Sequence, residues 1–158
     1  MTLPASDTDL ADLAAQEARL VFDAFDHDTA WALGSRMVDA ARTASLPVVV
    51  SIGMGGQRLF HAALPGTVPD NDHWVERKSA VVLRYGHSSL YVGTRARIEG
   101  MPFDERTDVD HARYAAHGGS FPITVRGSGA VGTVTVSGLP QLEDHAFLVR
   151  LLAAFLAD

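Results

Sequence analysis

Apolar positions along the chain fall into blocks whose spacing switches between helical and extended. Residues 7–17 put Leu10, Leu13 and Glu17 on one side of a short helix, with aspartates near its start, where the helix dipole favours them. Residues 18–25 hold Leu20-Val21-Phe22 with alternation on either side, which predicts a strand. Asp26 or Asp28 then caps a helix to about Ala44, with Ala30, Leu33, Met37 and Ala44 in its apolar stripe. Gly34 inside that helix costs about 1 kcal/mol against alanine, so close packing is expected there.

Pro47 stops any helix and opens Val48–Ile52, a β-branched run too short for a helix and long enough for a buried strand. Gly53–Gly56 turns the chain, and Gln57–Ala63 returns as the second arm of a hairpin. Strict alternation puts Leu59, His61 and Ala63 on one face, with Arg58, Phe60 and Ala62 on the other. Residues 64–71 are loop by composition. Asn71 or Asp72 caps a helix ending near Tyr85, with Gly86 as its left-handed terminator. On that helix Trp74, Lys78, Val81 and Tyr85 share a side, so a lysine interrupts an apolar stripe.

Residues 87–98 predict another short helix, begun by Ser88 or Ser89. Residues 99–107 read as loop, and Asp108 or Asp110 caps a helix through Ala116. Phe121–Arg126 and Ala130–Ser137 form a second hairpin around Gly127-Ser128-Gly129. The last helix, Gln141–Leu156, is apolar nearly all round, which means deep burial or a subunit interface. The order predicts an α+β fold: a five-stranded antiparallel sheet covered by helices. It is a single domain over residues 18–158, preceded by an N-terminal helical extension over residues 1–17.

Composition narrows the function. At net charge −6, a free-standing nucleic-acid binder is disfavoured. With no cysteine there is no disulfide, thiolate metal site or cysteine nucleophile. The acidic N-terminus lacks the basic and apolar regions of a secretory signal, and no window nears the roughly 18 apolar residues of a membrane span. A cytoplasmic protein with no membrane partner is expected. No His-Glu-x-x-His spacing and no Gly-x-Ser-x-Gly elbow occurs, so neither a zinc hydrolase nor a hydrolase triad is supported. Gly53–Gly56 lacks the ending and context of a phosphate loop.

The stretch from Gln57 to Lys78 concentrates two of the seven histidines, a tryptophan and three basic residues around a Pro/Gly/Asp/Asn loop. Gly55–Phe60, Leu64–Thr67, Pro69–Asn71, Trp74 and Arg77-Lys78 resemble the UPF0303 family. So do Ser88-Ser89, Ala116–Pro122 and Val131–Gln141. That family lies in the broader haem-degrading-domain (HbpS/GlcG-like) superfamily, and the resemblance covers residues 18–157. It implies a five-stranded antiparallel sheet with helices on its faces and a homo-oligomer. Some relatives bind haem or are reported to degrade it; others look like small-molecule binders. No catalytic residue set comes with the resemblance.

A tetrapyrrole needs an apolar slot, an axial imidazole and cations for its propionates. His61 with Arg58, Arg77 and Lys78 supplies that set, unless His61 is a strand histidine hydrogen-bonded near the core. Lys78, if desolvated, must meet an anion. The partner is a ligand carboxylate or an internal one, or the side chain snorkels past Trp74. His117-Gly118-Gly119-Ser120 is either an anion cradle of backbone N–H groups or a plain helix terminator. Asp70, Asp72 and His73 read as a helix start, so no metal site is expected. The expected ligand-binding residues are therefore Arg58, His61, Asn71, Trp74, Arg77, Lys78 and His117. The expected ligand is a small anion or tetrapyrrole, with haem the named cofactor candidate. The competing reading is a non-catalytic oligomeric scaffold or adaptor.

Overall fold

The computed structural model describes residues 3–158; the first two residues of the expected 1–17 extension lie outside it. In chain order the elements are α1 (Asp7–Arg19), α2 (His27–Thr43), β1 (Val49–Met54), β2 (Gln57–Ala63), α3 (Pro69–Tyr85) and α4 (Ser89–Ile98). A 3₁₀ turn (Phe103–Glu105), β3 (Ser120–Val125), β4 (Gly129–Ser137) and α5 (Gln141–Ala157) follow.

The fold is α+β, but the sheet has four strands rather than five, in the antiparallel order β2-β1-β4-β3. The two hairpins meet through β1 and β4, where Ile52 faces Val134 and Val50 faces Val136. The missing strand is the 18–25 segment. Helix α1 runs on to Arg19 and Asp26 already caps α2, which leaves Leu20–Phe25 between them. Only Phe22 pairs, taking a hydrogen bond from Arg126 N and giving one to Thr124 O, both at 2.8 Å, as a single parallel bridge to Val125. The alternation of Leu20 and Phe22 was real, since both are buried, but it drives burial without a ladder.

Strand alternation divides the sheet into two unlike faces. Val50, Ile52, Val134, Val136, Phe121 and Ile123 form the main core with Leu33 and Met37 of α2 and Leu148 and Leu152 of α5. The α5 helix, apolar nearly all round in sequence, is largely absorbed by its own chain: Phe147, Leu148, Leu151 and Leu152 are buried, and Phe155 packs beside Phe22. Gly34 of α2 meets the ring of Phe60, and a Cβ at that position would overlap the ring carbons. The opposite face carries Ser51, Thr133, Thr135 and Ser137, all buried beneath α3. Farther out, Val81, Val92, Ala96 and Phe103 make a smaller apolar cluster under α3 and α4.

Two further expectations change. Helix α3 starts earlier than predicted: Val68 is its N-cap, Pro69 its first residue, and Asn71 lies inside the first turn. This suits proline, whose missing N–H is free of a partner there anyway. Residues 108–116 make turns rather than a helix. Asp110 caps Ala112 N, but Ala115 N donates to Arg77 O and Arg77 Nε donates to His111 O, so tertiary bonds to α3 replace the intrahelical ones.

Candidate functional site

The sheet side of α3 buries Val75, Lys78, Val81 and Val82. Lys78 sits there because the strands beneath it present short hydroxyl side chains instead of large apolar ones. Its ammonium donates to Val136 O at 2.6 Å, Gly118 O at 3.2 Å and Asp144 Oδ2 at 3.2 Å. Three N–H groups meet three acceptors, so none is left for an outside anion. The expectation that Lys78 awaits a ligand carboxylate is therefore corrected: the counter-charge is Asp144 of its own chain. Burial pushes the lysine below its usual range and Asp144 pulls it back. Burial also raises the Asp144 carboxyl, opposed by Lys78 and by the N–H of Leu139, which donates to Oδ1 at 3.0 Å.

The His117–Ser120 segment is neither of the things the sequence suggested. No helix ends at it, and Gly118 turns a carbonyl toward an ammonium rather than N–H groups toward an anion. Gly119, at φ +132°, passes so close that a Cβ would overlap Lys78 Nζ and Val136 O.

Beside the ion pair opens a cleft of about 170 Å3, lined by Asn71, Trp74, His117, Ser137 and Gln141, with Lys78 and Asp144 as its floor. The half-buried indole of Trp74 has the His117 ring 4.9 Å from it. The Arg77 guanidinium lies 4.6 Å from the indole centroid. His117 is held by Asp104, with Nε2 2.9 Å from Oδ2. Each amide at the cleft is anchored by its oxygen: Asn71 Oδ1 accepts from Val68 N at 2.8 Å, and Gln141 Oε1 from Gly118 N at 3.0 Å. That leaves their NH₂ groups as the available ends. Ser137 is buried, and its hydroxyl has no hydrogen-bond partner among the described residues. The two NH₂ groups and the Ser137 hydroxyl are thus donors available at the cleft.

Four of the seven sequence-predicted residues, Asn71, Trp74, Lys78 and His117, line this one cleft. Arg77 adjoins it through the indole. His61 does not reach it. Its Nδ1 is 3.3 Å from Ser51 Oγ and its Nε2 2.9 Å from Asp72 Oδ1, so both ring nitrogens are occupied within the fold. Arg58 lies elsewhere again. The pairing of β1 with β2 slips between Ile52 and Gly53, setting Arg58 opposite Gly53 and leaving Leu59 as the extra residue. The slip puts Arg58 on the face of Ser51, against the strict alternation expected from sequence, and in a separate cavity. Sequence reasoning missed Gln141, Asp144 and Ser137. The first two sit in the opening turn of α5, where polar residues need no further explanation, and Ser137 lies in a regular strand alternation.

A family model described as haem degrading protein HbpS-like matches residues 25–153. Over 156 residues the chain is 54% identical to a UPF0303 protein of Streptomyces avermitilis, covering 99% of this chain and 96% of that protein. The crystal structure of Ybr137w protein superposes with a TM-score of 0.86 at 34% identity, over 95% of this chain and 88% of that one. The crystal structure of a PduOC:Heme complex matches with a TM-score of 0.68 at 17% identity, over 83% of this chain and 94% of that one, a likeness of fold.

Proposed function

The chain belongs to the HbpS-like family and to its UPF0303 group, and from that premise we propose that it binds a small anionic ligand in the Trp74–Gln141 cleft. One observation carries the proposal. The side-chain oxygens of Asn71, Gln141 and Asp144 already accept from Val68 N, Gly118 N, Leu139 N and Lys78, while the amide NH₂ groups of Asn71 and Gln141 and the Ser137 hydroxyl remain as donors. A ligand that engages those donors brings acceptors, which a carboxylate or phosphate does. The Trp74 indole offers a flat wall to the rest of it.

Haem, the group named in the family description, does not fit this cleft. About 170 Å3 is well below the roughly 300–1,000 Å3 of pockets that enclose drug-sized ligands, and a tetrapyrrole is no smaller than those. The nearest imidazole, His117, is held by Asp104 and lies against the indole. His61 is tied to Ser51 and Asp72. Small molecules are the better match.

The test uses Trp31→Phe as parent, so that fluorescence reports on Trp74 alone. Acetate, lactate, benzoate and inorganic phosphate are titrated. Asn71→Asp and Gln141→Glu keep the oxygens that bind Val68 N and Gly118 N but replace each NH₂ with a negative oxygen. At least one probe is expected to quench saturably in the parent and to bind roughly tenfold or more weakly in each variant. No saturable response to any probe, or equal affinity in parent and variants, overturns the proposal. A stoichiometric Soret shift on haem titration would do so as well, and would return haem to first place.

The scaffold reading drew on the apolar circumference of α5, and the burial of that helix within its own chain weakens it. Self-association belongs to the same proposal as a separate feature. The Trp31 indole, 66% exposed beside the ring of Phe60, supports it. Native mass spectrometry reads subunit number and retained ligand together. A cytoplasmic setting and an N-terminal extension over residues 1–17 complete the proposal.

A further inference from the structure

A second cavity, of about 200 Å3, lies at the other end of the polar sheet face, between the β1–β2 turn and the outer half of α3. Its floor is Gly53, flanked on the same face by Ser51 and Thr133. A Cβ at Gly53 would point into open space, with only Gln57 O near it, at 3.4 Å. The floor is thus hollowed by the lack of a side chain rather than by any gap in the backbone.

Two charged residues line this cavity from different elements, Arg58 from β2 and Glu76 from α3, and neither has an ion-pair partner among the described residues. Thr133 is more than nine-tenths buried, and its hydroxyl has no hydrogen-bond partner among the described residues. Its neighbours on the face are engaged: Thr135 Oγ1 lies 2.8 Å from Ser120 Oγ, and Ser51 Oγ is 3.3 Å from the His61 ring. The Thr133 hydroxyl is thus available to a polar group that enters the cavity. Val75, Met54 and Leu83 add apolar surface.

A cation and an anion that share a cavity without meeting define a ligand with both signs of charge. We propose that this cavity binds a small apolar α-amino acid as its zwitterion. The carboxylate pairs with the Arg58 guanidinium and the ammonium with Glu76. Thr133 hydrogen-bonds the ligand from the floor, and the side chain lies against Val75 and Leu83. The volume limits the ligand to an amino acid of about the size of alanine or valine. The site is separate from the Trp74 cleft, with which it shares no lining residue.

The test is a titration of ¹⁵N-labelled full-length protein followed by amide chemical shifts, with L-alanine and L-valine as probes. Acetate and ethylammonium serve as the two half-ligands. Saturable shifts at Gly53, Gly55 and Gly56 are expected with an amino acid in the millimolar range and are not expected with either half-ligand at equal concentration. Arg58→Met and Glu76→Gln, both at exposed positions and so compatible with folding, should each weaken binding about tenfold. Gly53→Val, which fills the floor, should abolish it. Asn71→Asp and Gln141→Glu, at the other cleft, should leave it unchanged. The proposal fails if neither amino acid moves these amides, or if acetate moves them as far as valine does. Unchanged affinity in Arg58→Met and Glu76→Gln also sinks it, as does loss of binding in the Gln141→Glu variant.

Discussion

The ammonium of Lys78 and the carboxylate of Asp144 stand 3.2 Å apart beneath the Gly118-Gly119 backbone, joined across 66 positions of sequence and both almost wholly buried. The pair ties α3 to α5, and two backbone carbonyls complete the lysine's shell. Removing one member of such a pair leaves an unmatched charge in a dry site. Lys78→Met is expected to cost about 3–5 kcal/mol in urea unfolding. Lys78→Met with Asp144→Asn should cost less than Lys78→Met alone, because the asparagine is neutral and can still accept from Leu139 N. A single-variant loss below about 1 kcal/mol would show that the pair does not hold the two helices together.

The second prediction concerns Gly34 and Phe60. Alanine at position 34 gains about 1 kcal/mol of helix propensity. It also drives a methyl group into the Phe60 ring, and overpacking of this kind costs about 1–3 kcal/mol. Gly34→Ala should therefore lower stability in the wild-type background and raise it where Phe60 is already shortened to valine. The midpoint of chemical unfolding in the three variants checks the sign reversal.

His145 provides a pH dependence. It is buried, its Nε2 is 2.8 Å from Gln16 Oε1, and its Nδ1 has no partner among the described residues. Burial lowers it from 6.5 to about 4. Between those values the unfolded chain holds the proton more often than the folded one, so stability falls as pH drops through that window. The loss from this group approaches about 3 kcal/mol at the acid end. Unfolding free energies at pH 7.5 and pH 5 should differ by more in the wild type than in His145→Gln. Equal slopes would mean that the imidazole is not desolvated.

The cleft variants carry a stability prediction of their own. Asn71→Asp and Gln141→Glu keep the oxygens that accept from Val68 N and Gly118 N, and both residues lie in first helical turns, where negative charge is favoured. Each should change stability by less than about 0.5 kcal/mol. A larger loss, seen by thermal unfolding, would mean that the free NH₂ groups are bonded within the fold and not offered to a ligand.

Much of this site was legible because one residue contradicted its surroundings. A lysine in the stripe Trp74-Val81-Tyr85 signalled a buried charge, and the turn-forming letters around Asn71 and His117 marked the segments that converge on it. Its partner was not legible. Asp144 follows Pro140 at the start of α5, where the helix dipole alone accounts for an acid, so nothing in the local pattern asks for a cation. The 108–116 segment failed for the converse reason. Asp110 carries a sound helix-start signal, but Arg77 takes up backbone groups that the helix would have needed.

Periodicity was enough to place both hairpins, the four helices that came out where expected and the crowding at Gly34. Each depends on side chains a few positions apart, whose directions follow from local backbone geometry. Three matters waited for the folded chain: the joining of β1 to β4, the slipped pairing that turns Arg58 to the other face, and the silencing of Lys78 by Asp144. They depend on which distant backbone and side-chain groups find one another. The polar groups left over for a ligand emerge only after every such pairing has been made.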